Sequence, residues 1–225
     1  IEKISIDETI FEIHINSSGH FYGFSNKKKY KFICKIFPSF NIENLVFAIC
    51  SIGFDLFKES ELNDLSFLEM PKGRAEFIKN IPTNIIIDYA HNHEAIEIFL
   101  HSIKDYYKNL IVILGCGGDR DKAKRSMIGK ICSDLSYKVI FTSDNPRSEN
   151  PESIIKDIVS GVSNYNNNKI LVEIERSKAI EEAKKNSEDG DIVLIAGKGH
   201  EDYQILKNEV IKFDDFKIAK KIFNK

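Results

Sequence analysis

From residue 84 onward the chain repeats one rhythm: a short apolar run, a polar turn, then a stretch with helical spacing. The apolar runs fall at about 84–88, 110–114, 138–142, 169–174 and 191–196. Helical stretches fit about 93–107, 123–136, 151–160 and 177–187, with a last one at 214–224. Five β–α alternations of this kind predict an α/β fold with a mostly parallel sheet and helices on both faces. Pro151 after Asn150 suits the first helical position behind its cap, and Asp214 and Asp215 suit the positive end of the last helix. Residues 203–206 and 209–213, joined at Lys207-Asn208, read as an antiparallel hairpin on the sheet edge.

Residues 1–37 follow a different period. Ile4, Ile6, Phe11, Ile13 and Ile15 alternate with polar residues, broken by turns at 17–19 and 26–28, which predicts antiparallel strands or hairpins. A helix is expected over 41–54, capped by Asn41 and ended near Gly53, with a second short helix at 60–69. Pro71, Gly73 and Pro82 mark a boundary. We place one domain over 1–75 and another over 76–225, and expect a loop at 164–168.

Composition narrows the function classes. The 225 residues carry a net charge of −2, so no global field favours nucleic acid or a membrane surface. No apolar run approaches the roughly 18 residues of a membrane span. The start, I-E-K-I-S-I-D, lacks Met and a secretory leader, and reads as a cut into a longer chain. Four scattered cysteines without a C-x-x-C pair fit a reduced, cytoplasmic protein and no structural zinc site. Arginine is scarce: of Arg74, Arg120, Arg125, Arg147 and Arg176, four lie in or beside glycine- or proline-marked turns. That placement suits the planar fork that grips a carboxylate or phosphate with two parallel hydrogen bonds.

Ligands of open parallel sheets bind at the carboxyl ends of the strands, and here those ends carry the charged residues. Gly115-Cys-Gly-Gly-Asp-Arg120 is neither a dinucleotide fingerprint nor a P-loop, and G-x-x-x-x-G-K-[ST] occurs nowhere in the chain. Arg120 is a candidate clamp for an anion. In Asp144-Asn145-Pro146-Arg147 the proline holds a carboxylate, an amide and a guanidinium with definite aim, a set able to recognise an ammonium beside a carboxylate. Gly197 lets a ligand approach the backbone, and Glu201 can take an ammonium. Asp88 suits ribose hydroxyls, His91 and Asn92 suit a purine, and Arg74 suits a phosphate. His91 and His93 lack a third ligand, so no metal site is assigned to this chain.

In order, G-R-A-E, D-Y-A-H-N, G-C-G-G-D-R-D-K-A-K-R, D-N-P-R and A-G-K-G-H-E-D-Y-Q closely resemble the Mur ligases of peptidoglycan synthesis, nearest their diaminopimelate-adding type. F-N-I-E-N at 40–44 resembles a helix start late in that family's central ATPase domain. The resemblance implies a Rossmann-like C-terminal domain preceded by the tail of the ATPase domain. It implies ATP-driven amide synthesis through an acyl phosphate, with ATP and Mg²⁺ as cofactors. UDP-MurNAc-L-Ala-D-Glu and meso-diaminopimelate would be the substrates, in a monomer with no nucleic-acid or membrane partner. Arg120, Asp144, Asn145, Pro146, Arg147, Gly197 and Glu201 would hold diaminopimelate. Asp88, His91 and Asn92 would contact the nucleoside, Arg74 the γ-phosphate, and Lys122 would assist catalysis.

Departures accompany the likeness. The chain lacks the family's UDP-sugar domain, its P-loop, and the metal-binding and lysine-bearing parts of the ATPase domain. P-S-F-N at 38–41 stands where a glycine-containing run is usual. These 225 residues are therefore expected to carry an amino-acid pocket without ligase activity of their own. A folylpolyglutamate-synthase-like ligase and a non-catalytic amino-acid-binding fragment are the competing readings. A nicotinamide oxidoreductase is disfavoured by the broken glycine fingerprint.

Overall fold

A computed structural model of the chain describes residues 8–15, 28–78, 81–163 and 168–224. The chain forms two compact units, Ile1–Met70 and Pro71–Lys225. Ile4, Ile6, most of the two turns expected at 17–19 and 26–28, and most of the expected 164–168 loop lie outside the described residues.

In the first unit, strands β1 (Thr9–Ile15) and β2 (Lys28–Cys34) pair antiparallel, with Thr9 opposite Cys34 and Ile13 opposite Tyr30. Alternation puts Phe11, Tyr30, Phe32 and Cys34 on one face, where they meet Ile42 and Ile49 of helix α1 (Phe40–Ile52) in a single apolar cluster. Asn41 does not cap that helix. Ser39 holds the cap position with its backbone already helical, and the Asn41 amide reaches back to the Phe37 carbonyl. Gly53 ends the helix at a φ of 88°. The helix expected at 60–69 is also absent: Leu62–Asp64 forms β3, parallel to β2. The open edge of β2 offers backbone partners that outweigh a weak helical period, and Asn63 Nδ2 adds a bond to the Lys31 carbonyl.

The second unit is built on six strands. They are β4 (Glu76–Phe77), β5 (Asn84–Asp88), β6 (Leu110–Leu114), β7 (Lys138–Phe141), β8 (Ile170–Val172) and β9 (Ile192–Ala196), in the spatial order β4-β5-β9-β6-β7-β8. All neighbours are parallel except β4, which pairs antiparallel with β5. Helices α2 (His93–Ile103), α3 (Ala123–Leu135) and α4 (Pro151–Val159) carry the chain from β5 towards β8. Helix α5 (Arg176–Lys185) returns it to β9, inserted between β5 and β6. Crossovers of one hand require the return helix to lie on the opposite face. Accordingly Ala179, Ile180 and Ala183 of α5, with Ala219 and Phe223 of α6 (Asp215–Phe223), pack on Ile85, Ile87, Ile111, Ile113, Ile140, Val193 and Ile195. The alternate strand residues Ile86, Val112, Val139 and Leu194 are equally buried and point the other way.

The hairpin is real but not where its sequence suggests. Strands β10 (Tyr203–Ile205) and β11 (Val210–Lys212) form a separate two-stranded ribbon, and the antiparallel edge of the main sheet is β4. The ribbon bonds to a turn instead: Ile205 N–H donates to Asn145 Oδ1, and the Ile205 carbonyl accepts from Arg147 N–H. Helix ends follow the predicted chemistry. Asn150 Oδ1 caps the Glu152 N–H ahead of Pro151, and Asp214 caps the Lys217 N–H. Helix α2 stops at Ile103, short of the expected 107.

Candidate functional site

Because β5, β9, β6 and β7 are parallel, their carboxyl ends share one edge of the sheet. Four loops meet there, at 88–92, 115–122, 142–147 and 197–202. They enclose a cleft of about 400 Å³ lined by Arg120, Asp144, Asn145, Arg147, Gly197 and Glu201, with His91 and Asn92 at one wall. Residues 115–117, with Tyr89, Asp121, Lys124, Arg125 and Ile128, complete it. Three of the sequence candidates stand apart from this lining, and a fourth, Pro146, faces a separate groove.

The acidic end is assembled around Lys198, which the sequence candidates omitted. Its ammonium donates to Asp144 Oδ1 at 3.3 Å, Asn145 Oδ1 at 3.1 Å and Glu201 Oε2 at 3.1 Å. Asn145 Nδ2 donates to the same Glu201 oxygen at 2.9 Å. Burial pushes the Asp144 carboxyl above its ordinary pKa, against the pull of the Arg176 and Lys198 cations. Gln204 Nε2 holds the Asp144 carbonyl at 2.6 Å, so the β10 strand clamps this turn from behind. A signal for Lys198 did exist: it lies between two glycines directly after the most apolar strand, where only a side chain turned inward would be shielded.

The basic end is held by a different lattice. Arg147 sits in the left-handed region, at a φ of 51°, which costs a non-glycine residue free energy and marks a position fixed by its surroundings. Its Nη1 donates to the Gly118 carbonyl at 2.8 Å, and Gly118 N–H donates to the Asn145 carbonyl at 2.9 Å. Arg120 is exposed, bonding only the Asp119 carbonyl at 3.3 Å among the interactions described. Glu149 stitches the two loops together: one oxygen accepts from Asp119 N–H and Arg125 Nη2, the other from Arg125 Nη1. Lys122 also pairs with Glu149, at 3.3 Å, and does not line the cleft.

Those bonds hold the Glu149 carboxyl at about 2, against an ordinary value of 4.5, with Arg125 the main cause. A folded-state pKa below the unfolded one contributes stability that is complete above the unfolded value and is lost as pH falls towards the folded one. The melting temperature of wild type should therefore exceed that of Glu149→Gln above pH 4.5, and the gap should close between pH 4.5 and about 2. Thermal melts across that range check it; a gap that stays constant would remove Glu149 from this role.

At the remaining wall, Asp88 is buried and committed to the backbone. Its two oxygens accept from Ala75 N–H and Ala90 N–H, each at 2.7 Å. Burial raises its pKa, partly offset by those bonds. Asp88 thereby fixes the segment that carries Arg74, whose guanidinium lies 4.7 Å from the centre of the Tyr89 ring. His91 is exposed and packs its ring against Tyr89 at 4.7 Å. Asn92 uses Oδ1 to cap α2 through the Ala95 N–H, and it also lines the cleft. Burial, then the nearby Asp144 charge, push the Cys116 thiol up to about 12, which disfavours its thiolate form. Among the described residues no three His, Cys, Asp or Glu side chains gather as a metal site, and no helix is long and apolar enough to cross a membrane.

A doubly wound α/β unit whose charged cleft lies at the strand carboxyl ends defines a small-molecule-binding domain. The family model for the Mur ligase glutamate ligase domain matches residues 73–199, and the chain belongs to the Mur ligase family. It is 43% identical over 97% of its length to a UDP-N-acetylmuramoyl-L-alanyl-D-glutamate–2,6-diaminopimelate ligase of Clostridium perfringens, covering 45% of that protein. A ligase of the same name from Prochlorococcus marinus is 44% identical over 87% of the chain, which covers 40% of it. A solved structure of such a ligase superposes with a TM-score of 0.67 at 30% identity, over 90% of this chain and 44% of that one. The fold alone extends to a folylpolyglutamate synthase of Thermotoga maritima, with a TM-score of 0.53 at 19% identity, over 76% of this chain and 40% of that one. The chain spans less than half the length of the two curated relatives.

Proposed function

We propose that the chain supplies the amino-acid-binding part of an ATP-dependent ligase that joins meso-diaminopimelate to the glutamate of UDP-MurNAc-L-Ala-D-Glu. One observation carries this reading: carboxylates and guanidinium groups line a single cleft, among them Asp144 and Glu201 with Arg147 and Arg120. A centre bearing an ammonium beside a carboxylate is complementary to both at once. Gly197 admits the ligand close to the backbone, and the Asn145 amide fixes its orientation. The second amino group of the ligand is then left free to react.

In this reading the glutamate carboxyl is activated as an acyl phosphate by ATP, the incoming amine displaces phosphate, and an amide forms. The nucleoside rests against His91 and Asn92, and Arg74 meets the γ-phosphate, with Asp88 holding the Arg74 segment in place. Catalysis is positioning and charge neutralisation. The residues described here offer no donor set for Mg²⁺ and the chain has no P-loop sequence, so the reading places phosphate and metal grip on other parts of the ligase. Residues 1–70 are read as the tail of the ATPase domain, and the site of action as cytoplasmic.

Calorimetric titration of the 225-residue chain with meso-diaminopimelate and with L-lysine tests the proposal. Binding of diaminopimelate in preference to lysine is expected, without amide formation by this chain alone. Equal affinity, or a preference for lysine, would count against it. Arg147→Lys should weaken diaminopimelate binding by about 1–3 kcal/mol, because an ammonium cannot make the two parallel bonds of a guanidinium.

A further inference from the structure

Lys198 is wholly enclosed, at 0% exposure, and no other lysine among the described residues is buried. Its three N–H donors meet three acceptors, on Asp144, Asn145 and Glu201. All three partners line the cleft, whereas Lys198 itself does not. Whatever Lys198 does to a ligand, it does through them.

Two consequences follow from that placement. Asn145 Oδ1 is saturated by Lys198 Nζ and the Ile205 N–H, so the Asn145 amide nitrogen is turned towards Glu201. The charge of the cluster is also set. Asp144 and Glu201 would together present two negative charges to the cleft, and the Lys198 ammonium cancels one. The nearby Arg176 and Asp215 cancel each other in a closed ion pair. One net negative charge balances one ammonium group. Two would attract a bare amine more strongly and would repel the carboxylate that Arg147 and Arg120 are placed to receive.

We propose that Lys198 is a positioning residue that determines specificity: it makes the cleft select an ammonium carried beside a carboxylate over an ammonium alone. The inference rests on the amino-acid reading of the cleft. Titrating wild type, Lys198→Met, Glu201→Gln and the double variant Lys198→Met/Glu201→Gln with meso-diaminopimelate and with 1,5-diaminopentane, which carries ammonium groups and no carboxylate, tests it, each fold being verified by thermal melting. Lys198→Met is expected to shrink the preference for diaminopimelate by about tenfold or more, since it adds one unscreened negative charge within a few ångströms of the ligand. The double variant restores the single negative charge and should return the preference to within about threefold of wild type.

Equal weakening of both ligands by Lys198→Met, with their ratio unchanged, would overturn the inference while leaving the amino-acid reading in place. Wild type that does not bind meso-diaminopimelate would overturn both. Should Lys198→Met fail to fold, the double variant decides, because its cluster keeps the net charge of wild type. A double variant without preference for diaminopimelate, where Glu201→Gln alone retains one, would overturn the assignment.

Discussion

Replacing Arg176 by Met is expected to destabilise the second unit by about 3–5 kcal/mol, the usual result of removing one partner of a buried ion pair. Arg176 and Asp215 are both fully buried. Arg176 Nε and Nη2 donate in parallel to the two Asp215 oxygens, each at 2.8 Å, and Nη2 also reaches the Ala196 carbonyl at 2.9 Å. One guanidinium thus joins the start of α5, the start of α6 and the end of β9. Burial is the largest single influence and opposes its charge, but Asp215 with the Asp144 and Glu201 carboxylates together outweigh it, and the Arg176 pKa lies above its ordinary value. Met fills similar space but leaves the Asp215 carboxylate without its cation. Replacing both, as Arg176→Met with Asp215→Leu, should recover much of the loss, since apolar pairs of similar volume often equal a buried ion pair. Chemical denaturation of the single and double variants measures this. A single variant that loses less than about 1 kcal/mol would show the pair to be dispensable.

Gly118→Ala should damage fold and site together. A β-carbon there would lie 1.9 Å from the Pro146 carbonyl oxygen and 2.7 Å from its carbon, both backbone atoms of the opposing loop. The loops must part, at a stability cost of about 1–3 kcal/mol. Parting them breaks the Gly118–Asn145 bond and the Arg147 anchor on the Gly118 carbonyl, so amino-acid binding should fall by at least about tenfold. Gly117→Ala supplies the contrast. Its β-carbon would meet side chains alone, the tip of Arg147 at 2.8 Å and Arg120 at an ordinary 3.7 Å. That variant should melt close to wild type while still losing affinity. Equal stability losses in the two variants would mean that loop apposition is not what holds the site.

The strand-end motifs were the legible part of the site. Arg120, Asp144, Asn145, Arg147, Gly197 and Glu201 do line one cleft, because parallel strands deliver their carboxyl ends to one edge and the motifs sit just beyond those ends. What the motifs do not record is which of these polar residues also take partners inside the fold. Asp88 spends its oxygens on two backbone N–H groups. Lys122 turns to Glu149, and Asn92 gives its oxygen to a helix cap. Arginine scarcity did signal forks, but Arg125 and Arg176 use theirs inside the fold, on Glu149, Asp157 and Asp215. The helix expected at 60–69 failed for a related reason: a short apolar run carries little periodicity, and an open strand edge decided its fate.

Sequence alone determined the α/β alternation of the second unit, since all-apolar strands and amphipathic helices leave few ways to bury both faces. It also determined which residues stand at the strand ends. Only the tertiary structure decided which of them share a cleft, and that β9 enters between β5 and β6 to bring the 197–202 loop beside 144–147. Strand order is a long-range choice, made by packing between residues far apart in the chain, and no local pattern records it. For Lys198 the flanking glycines mark the position, but its chemistry is set by Asp144 and Asn145, more than fifty positions away.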